Sequence, residues 1–503
     1  MTGLRGARAR DSRQAGGRGG RLIDVRPVFF VIGLFLSVLA LAMLVPMVTE
    51  LAIGQPGWKP FAAGAALTLF VGVILALTNH VRDIRLNLRQ AFLLTTLSWV
   101  VIAAFGALPL VFASLGLTYA DAYFEAMSGL TTTGSTVIVG LDRAPSGILL
   151  WRGLLNWMGG IGIIALAVAV LPALKVGGMQ LFRLESSDKS DKVLPRAPQI
   201  AAGIGVVYVF LSALCAFLYW LGGMNGLEAT THAMATLATG GFSTSDDSFG
   251  HFNSAFIDTV AIVFMFMGGM TFTLFVRAMH GDRMALLADR QTRWYLAVAV
   301  GFTGAIALWH WQVNGAGFFY SLRHAAFNVV SILTTTGFVS TDYSQWGPLP
   351  QILIFFLAFV GGCSGSTSGG IKIFRFQILT ALARTHALHT LAPSAVFVPK
   401  YNNRPITEAV THSVLAFVFL YALSFALIAA GLGLLGLDLV TSLSGSAAAL
   451  GNVGPGLGDI IGPAGNFSTL PEAAKWLLSL AMLLGRLELL TVVVIFSRHY
   501  WRD

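Results

Sequence analysis

The sequence predicts an all-α polytopic membrane protein: four helix–loop–helix repeats around one axis, preceded by two further N-terminal transmembrane helices. Three observations carry this. Only 11% of the 503 residues are charged and 55% are hydrophobic, whereas soluble domains carry about 25% charged residues. Several apolar runs reach the roughly 20 residues that cross a hydrocarbon core of about 30 Å. Backbone there is satisfied only as helix or closed barrel, and the lack of dyad alternation argues against a barrel. Third, a polar, Gly-containing stretch recurs: Thr131–Ser135, Ala238–Phe242, Leu333–Phe338 and Gly451–Pro455. Aligned on Gly134, Gly240, Gly337 and Gly454, the four lie 106, 97 and 117 residues apart.

Residues 1–27, with Arg5, Arg8, Arg10, Arg13, Arg18, Arg21 and Arg26 among Gly and Ala, read as a disordered basic cytosolic arm. It is not a signal peptide, because the apolar run behind it is too long and lacks a small-residue cleavage site. Contact with anionic lipid is a secondary role for it. Two spans follow near 28–53 and 61–79, within a unit of residues 28–80. Four repeats then occupy 90–175, 198–280, 291–385 and 404–500. Their paired spans lie near 91–115 and 148–173, 199–222 and 255–279, 292–313 and 350–380, and 406–436 and 472–498. Short helices near 119–131, 226–238, 320–333 and 439–450 precede the Gly loops.

The net charge of +9 invites a nucleic-acid reading, but its distribution excludes one. Basic residues gather in alternate connections: Lys175, Arg183, Lys189, Lys192 and Arg196, then Arg277, Arg283, Arg290 and Arg293, then Arg384, Lys400 and Arg404. The segments holding the Gly loops are comparatively acidic, with Asp121, Glu125, Asp142, Glu228, Asp246, Asp247, Asp342, Asp438, Asp459 and Glu472. The positive-inside rule then places both termini in the cytosol and lets every Gly loop enter from outside, with ten spans in the bilayer. Cys215 and Cys363 have no spaced partner, so neither a disulfide framework nor a metal site is read.

A helix that dips in and returns as extended chain is tolerated only where protein or water surrounds it. That is the shape of a pore loop, and four of them fit around one pore. Backbone carbonyls can replace a monovalent cation's hydration shell without a fixed anion that would trap it. Glycine permits the backbone torsions and leaves the axis clear. The short helices would point their partially negative C-terminal ends at the centre. The candidate ligands are Thr132, Thr133 and Gly134; Ala238, Thr239 and Gly240; Thr335, Thr336 and Gly337; and Asn452, Val453 and Gly454. The competing reading is ordinary small-residue packing between membrane helices, which repetition in four equivalent places disfavours.

These residues resemble the Trk/Ktr/HKT superfamily of potassium transporters, and most closely its TrkH branch. The matching stretches are Thr131–Val137, Asn156–Gly162, Ala238–Thr244, Thr334–Phe338, Gly361–Lys372, Asn452–Gly456 and Leu484–Glu488, and the resemblance runs from about residue 28 to the end. The two extra N-terminal spans resemble TrkH rather than the shorter KtrB plan. The resemblance implies a potassium uptake channel or transporter subunit in the bacterial inner membrane and no enzymatic activity. It also implies a homodimer with a pore in each subunit, resting on cytosolic TrkA-like nucleotide-binding regulatory subunits. Some plant relatives carry Ser at the first filter glycine and favour sodium. Gly134 therefore implies potassium selectivity, while Ser135 stands where relatives often carry a small apolar residue.

Gly361-Gly362-Cys363-Ser364-Gly365-Ser366-Thr367-Ser368-Gly369-Gly370 interrupts the second span of repeat three, since five glycines in ten residues cannot hold a straight helix. In the family this segment is a loop lying across the pore below the filter. Ser368 stands where relatives often have Gly, which implies a stiffer loop. The alternative is a plain packing kink. Lys372 and Arg375 are expected to reach the cytosolic face, by snorkelling if nothing else. Arg486 and Glu488 are intramembrane charges, which face a partner or an aqueous cavity. The resemblance puts Arg486 against the gate loop, and the alternative is an Arg486–Glu488 structural pair.

Elsewhere the chemistry is sparse. Glu125 and Glu228 read as mouth charges or helix-end groups, and His232 and His324 as hydrogen-bonding helix residues. His386 and His389 share a helical face, but no carboxylate or Cys completes a metal site. The chain has no Walker loop, dinucleotide fingerprint or hydrolytic triad. Potassium is the expected cargo and no cofactor is called for. A potassium symporter coupled to sodium or protons stays open beside the channel reading. A membrane enzyme and a non-conducting sensor are disfavoured, the first by the lack of clustered acids or metal ligands, the second by the intact glycines.

Overall fold

A computed structural model of the chain describes residues 23–82, 86–169 and 197–501. Most of the basic arm and the basic 175–196 connection lie outside the described residues.

Helices α1 (Arg26–Ala52) and α2 (Trp58–Thr78) form an antiparallel hairpin. Gly33 and Gly72 let its backbones approach, since a Cβ on Gly72 would lie 2.9 Å from the Gly33 carbonyl oxygen. Close backbone contact at small residues is how helices associate in lipid. The hairpin is anchored to the first repeat by Glu50, which is buried and accepts a hydrogen bond from the backbone N–H of Gly147. Gly147 lies in the first turn of a helix, where a carboxylate complements unpaired N–H groups.

Each repeat then follows one plan. The first comprises α3 (Leu88–Phe112), α4 (Tyr119–Leu130) and α5 (Ser146–Ala169). The second has α6 (Ala197–Leu221), α7 (Gly226–Leu237), α8 (Ala255–Gly268) and α9 (Phe272–Met279). The third has α10 (Arg290–Val313), α11 (Phe318–Leu333), α12 (Pro348–Leu357) and α13 (Ile373–Leu391). The fourth has α14 (Glu408–Leu434), α15 (Leu439–Gly451), α16 (Glu472–Arg486) and α17 (Leu490–Phe496). A two-residue hairpin, Lys400–Tyr401 with Arg404–Pro405, joins the third repeat to the fourth.

The short helices α4, α7, α11 and α15 start where their sequences dictate. Thr118 with Asp121 and Asn225 with Glu228 form reciprocal capping boxes, each satisfying otherwise orphaned N–H groups. Asp438 caps α15 through Val440 and Thr441.

Two spans expected to be continuous are not. The 255–279 segment bends by 96° between α8 and α9, and 472–498 bends by 107° between α16 and α17. The first break falls at Gly268–Thr271. The second falls where Glu488 and Leu489 take positive φ of 61° and 40°, torsions that a right-handed helix cannot contain. Seven described helices are long and apolar enough to cross a membrane, and up to nine if each bent pair is one span. The expected tenth, 350–380, is the pair α12 and α13 separated by the Gly-rich segment. Lipid-facing side chains are left on the outside, Phe70, Phe210, Phe356 and Phe419 among them.

Candidate ion pathway and gate

All four short helices end in the same way. Thr132, Thr239, Thr335 and Asn452 sit in the left-handed region, with φ of 53°, 50°, 57° and 54°. The next residue in each loop then donates its N–H to the carbonyl five residues back: Thr133 to Ser128, Gly240 to Ala235, Thr336 to Ser331 and Val453 to Ala448, each at 2.8 Å. This is the six-to-one bond of a Schellman ending. Glycine normally supplies its left-handed residue, yet three of the four here are β-branched threonines. Such a conformation costs on the order of 1–3 kcal/mol and persists only where the surroundings impose it, commonly at functional sites.

The pattern sets the register of the four loops. The glycines with positive φ that follow are Gly134, Gly241, Gly337 and Gly454, at 88°, 73°, 83° and 104°. Loop two is therefore offset by one from the sequence alignment. Gly241, not Gly240, is equivalent to Gly134, and Ala238 belongs to the helix cap. The consecutive glycines Gly240-Gly241 made the two alignments indistinguishable by residue type alone.

In that register the loops close a ring. A Cβ on Gly134 would lie 2.6 Å from the Gly240 carbonyl oxygen, and one on Gly454 would lie 2.7 Å from that of Thr133. Cβ atoms on Gly241 and Gly337 would overlap the carbonyl oxygens of Thr336 and Val453. Each glycine thus abuts the carbonyl of the residue before the equivalent glycine in the next loop, and the fourth returns to the first. Ser135 adds a cross-link of its own, donating to the Gly454 carbonyl at 2.9 Å.

Behind the ring, each short helix holds the outgoing leg of its own loop. Glu125, fully buried, accepts from Thr136 Oγ1 at 3.0 Å and from the Val137 N–H at 2.9 Å. His232 donates from Nδ1 to the Glu228 carbonyl and pairs through Nε2 with Ser243 Oγ at 3.0 Å. His324 and Asn328 both bond Ser340, and Ser444 Oγ accepts from the Leu457 N–H at 2.9 Å. Glu228 is a helix-end group, as expected. Glu125 is not a mouth charge. It forms a buried ion pair with Arg152 of α5 at 2.8 Å. Arg152 also donates to the Ser243 carbonyl at 2.6 Å and lies 4.1 Å from the Phe242 ring centre, so it ties the first loop to the second. Arg152 lies outside the residues predicted from sequence, although an Arg inside an apolar span is itself a signal. Asn156, to which the sequence assigns no role, packs its buried side chain against Gly240 without a hydrogen bond.

The Gly361–Gly370 loop packs against the end of the ring where the short helices terminate. Thr367 Oγ1 donates to the Gly268 carbonyl at 2.9 Å and meets Thr239 Oγ1 at 3.1 Å. The Gly369 N–H donates to Thr335 Oγ1 at 2.6 Å. Cys363 donates its N–H to the Gly269 carbonyl at 2.8 Å, so the break between α8 and α9 is a docking site for the loop. The Gly361 N–H donates to the Ile371 carbonyl at 2.9 Å, pinching the loop's two ends together. Ser368 Oγ accepts from the Gly362 N–H at 2.8 Å and meets Ser366 Oγ at 3.1 Å, an internal brace that Gly could not provide. Ser364 and Gly365 complete the turn against Thr271 and Phe272.

Four charged side chains gather beneath this loop, and Arg486 and Glu488 take different partners instead of forming the alternative structural pair. Arg486 donates from Nη1 to the Thr367 carbonyl at 2.7 Å. Glu488 pairs with Arg375 rather than with Arg486. Arg375 is buried and lies 3.6 Å from the Phe417 ring centre. Lys372 is buried too and bonds Ser368. Neither Lys372 nor Arg375 reaches an exposed surface, because the loop and the α16–α17 bend offer them partners nearer than water. His386 and His389 are exposed, and no group of three or more metal-ligating side chains occurs among the described residues.

Residues 58–502 match the family model described as TrkH, cation transport protein. The chain belongs to the TrkH family. It is 46% identical to the Trk system potassium uptake protein TrkI of Halomonas elongata over 478 residues, which span 95% of this chain and 97% of that protein. The Trk system potassium uptake protein TrkH of Escherichia coli K12 is 36% identical over 95% of this chain and 99% of its own length. The crystal structure of the potassium transporter TrkH from Vibrio parahaemolyticus superposes with a TM-score of 0.89 at 34% identity, covering 95% of this chain and 100% of that one. This TrkH-family chain is therefore a multi-pass cation transport protein and not an enzyme.

Proposed function

We propose that potassium passes along the axis of the four-loop ring, dehydrated by the carbonyls of Thr133, Gly240, Thr336 and Val453 and flanked by Gly134, Gly241, Gly337 and Gly454. What supports this most is the closure of the ring by four equivalent glycine–carbonyl contacts. Carbonyl dipoles in such a ring attract a cation without trapping it. In this reading Gly361–Gly370 is the gate, holding its place through Thr367, Gly369 and Arg486. Arg486, a fixed cation just past the ring, opposes potassium passage while the loop stays closed.

In this reading the pore conducts down the potassium gradient as a channel, and the alternative is a symporter coupled to sodium or protons. Orientation follows the charge asymmetry, with both termini cytosolic in a bacterial inner membrane and the loops entered from outside. By resemblance the subunit pairs as a homodimer and is controlled by cytosolic TrkA-like nucleotide-binding subunits.

Potassium-limited growth of an uptake-deficient host expressing the chain tests transport. Reversal of the reconstituted current at the potassium Nernst potential separates a channel from a symporter coupled to sodium or protons, whose reversal would move with the second ion's gradient.

A further inference from the structure

The residues just before the ring carbonyls form a layer of their own: Thr132, Thr239, Thr335 and Asn452, all fully buried. Two of these four side chains are engaged by the gate loop. Thr335 Oγ1 accepts the Gly369 N–H at 2.6 Å, and Thr239 Oγ1 is tied to Thr367 Oγ1 at 3.1 Å. The other two carry oxygens with no hydrogen-bond partner, Thr132 Oγ1 and Asn452 Oδ1. Buried oxygens are rarely left unpaired, and each such group costs about 1–3 kcal/mol. Two orphan oxygens in one layer, beside two that the gate has claimed, describe a coordination shell that the closed loop interrupts.

We infer that this layer is the innermost potassium site, and that occupation of it and closure of the gate exclude one another. The inference rests on the proposed filter. A hydroxyl that accepts an N–H has that dipole's positive end where a cation would sit. Closure also fixes the Arg486 guanidinium on the Thr367 carbonyl at 2.7 Å, which adds a full positive charge behind the layer. With the loop withdrawn, the hydroxyl oxygens of Thr239 and Thr335 lose their gate partners and join the unpaired oxygens of Thr132 and Asn452, whose amide stays oriented by Nδ2 bonds to Thr133 Oγ1 at 3.0 Å and the Met482 carbonyl at 2.9 Å.

Linkage then makes potassium an effector of its own gate. An ion that binds the open state more tightly than the closed one shifts the population towards open, by no more than that difference in affinity. Couplings of this kind usually amount to about 5–150-fold. Sodium, if poorly held by the layer, would shift it less.

The test is hydrogen–deuterium exchange on the full-length protein in nanodiscs, without regulatory subunits, in potassium, sodium or N-methylglucamine. Two segments are read, 131–137 of the ring and 361–371 of the loop. The expected result is that saturating potassium slows exchange in 131–137 while speeding it in 361–371 by about fivefold or more, and that sodium does so less. Thr367→Val, which leaves every filter residue in place, should lower the potassium concentration at which 361–371 opens. If potassium protects the ring but leaves the loop unchanged or better protected, the competition is wrong and the filter stands. If potassium alters neither segment, the filter reading falls and the inference with it.

Discussion

Gly241 and Thr336 meet so closely across the ring that any Cβ on the glycine would overlap the threonine's carbonyl oxygen. Gly240, one residue earlier, faces the side chain of Asn156 instead, with a Cβ 2.5 Å from its Cγ. Neighbouring glycines thus serve different ends, one clearing a carbonyl and one clearing a movable amide.

Gly241→Ala should abolish potassium uptake. The left-handed torsion alone costs Ala about 1–2 kcal/mol, and the Thr336 carbonyl must then leave its place. Gly240→Ala should be milder and should regain uptake when combined with Asn156→Ala. Growth on limiting potassium measures both; rescue of Gly241→Ala by Asn156→Ala would argue against the assigned register.

Glu125→Gln should destabilise the protein by about 3–5 kcal/mol, the usual effect of removing one partner from a buried ion pair. It leaves Arg152 facing Ser243 and Phe242 without its carboxylate. Thermal unfolding in detergent measures this, and a loss below about 1 kcal/mol would mean that the pair is solvated in the membrane.

Much of this arrangement was legible in the sequence, because hydropathy and glycine placement dictate it. The four loops, the short helices before them and the Gly-rich interruption are signalled by the recurring polar stretches at Gly134, Gly240, Gly337 and Gly454 and by the density of glycine at 361–370. What was not legible depends on contacts between distant segments. The pairing of Glu488 with Arg375 spans 113 positions, whereas the only partner that spacing offers, as an alternative reading, is the nearer Arg486. The bend at Glu488–Leu489 has no glycine or proline to announce it. The register of loop two required torsions, since residue type could not rank Gly240 against Gly241.

Deleting Gly362–Gly369 should leave a leakier pore, seen as faster rubidium efflux from loaded proteoliposomes without regulatory subunits. Glu488→Gln should act in the same direction and more weakly, because it takes the carboxylate from Arg375 at the foot of the loop. Efflux equal to wild type in the deletion would remove the gate assignment.

Asp438 caps α15, and the hydroxyl and N–H of Thr441, followed by the Val440 N–H, hold its carboxyl below the ordinary value of 3.8. A depressed folded-state pKa means that the stabilisation is fully present above 3.8 and is lost as pH falls through the lower folded value. Asp438→Ala should therefore cost about 1 kcal/mol at neutral pH, the usual loss for an N-cap. That penalty should stay constant down to about pH 5 and shrink in stronger acid. Thermal unfolding of both proteins across this range measures it, and a penalty that grows on acidification contradicts the sign.

The reversal potential of purified protein in planar bilayers, with potassium on one side and sodium on the other, tests the ring most directly. Wild type should reverse far towards the potassium equilibrium potential, and Gly134→Ser should move the reversal towards zero as sodium gains permeability. A wild-type reversal near zero, or one unmoved by Gly134→Ser in a protein that still conducts, would contradict selection by the four-loop ring.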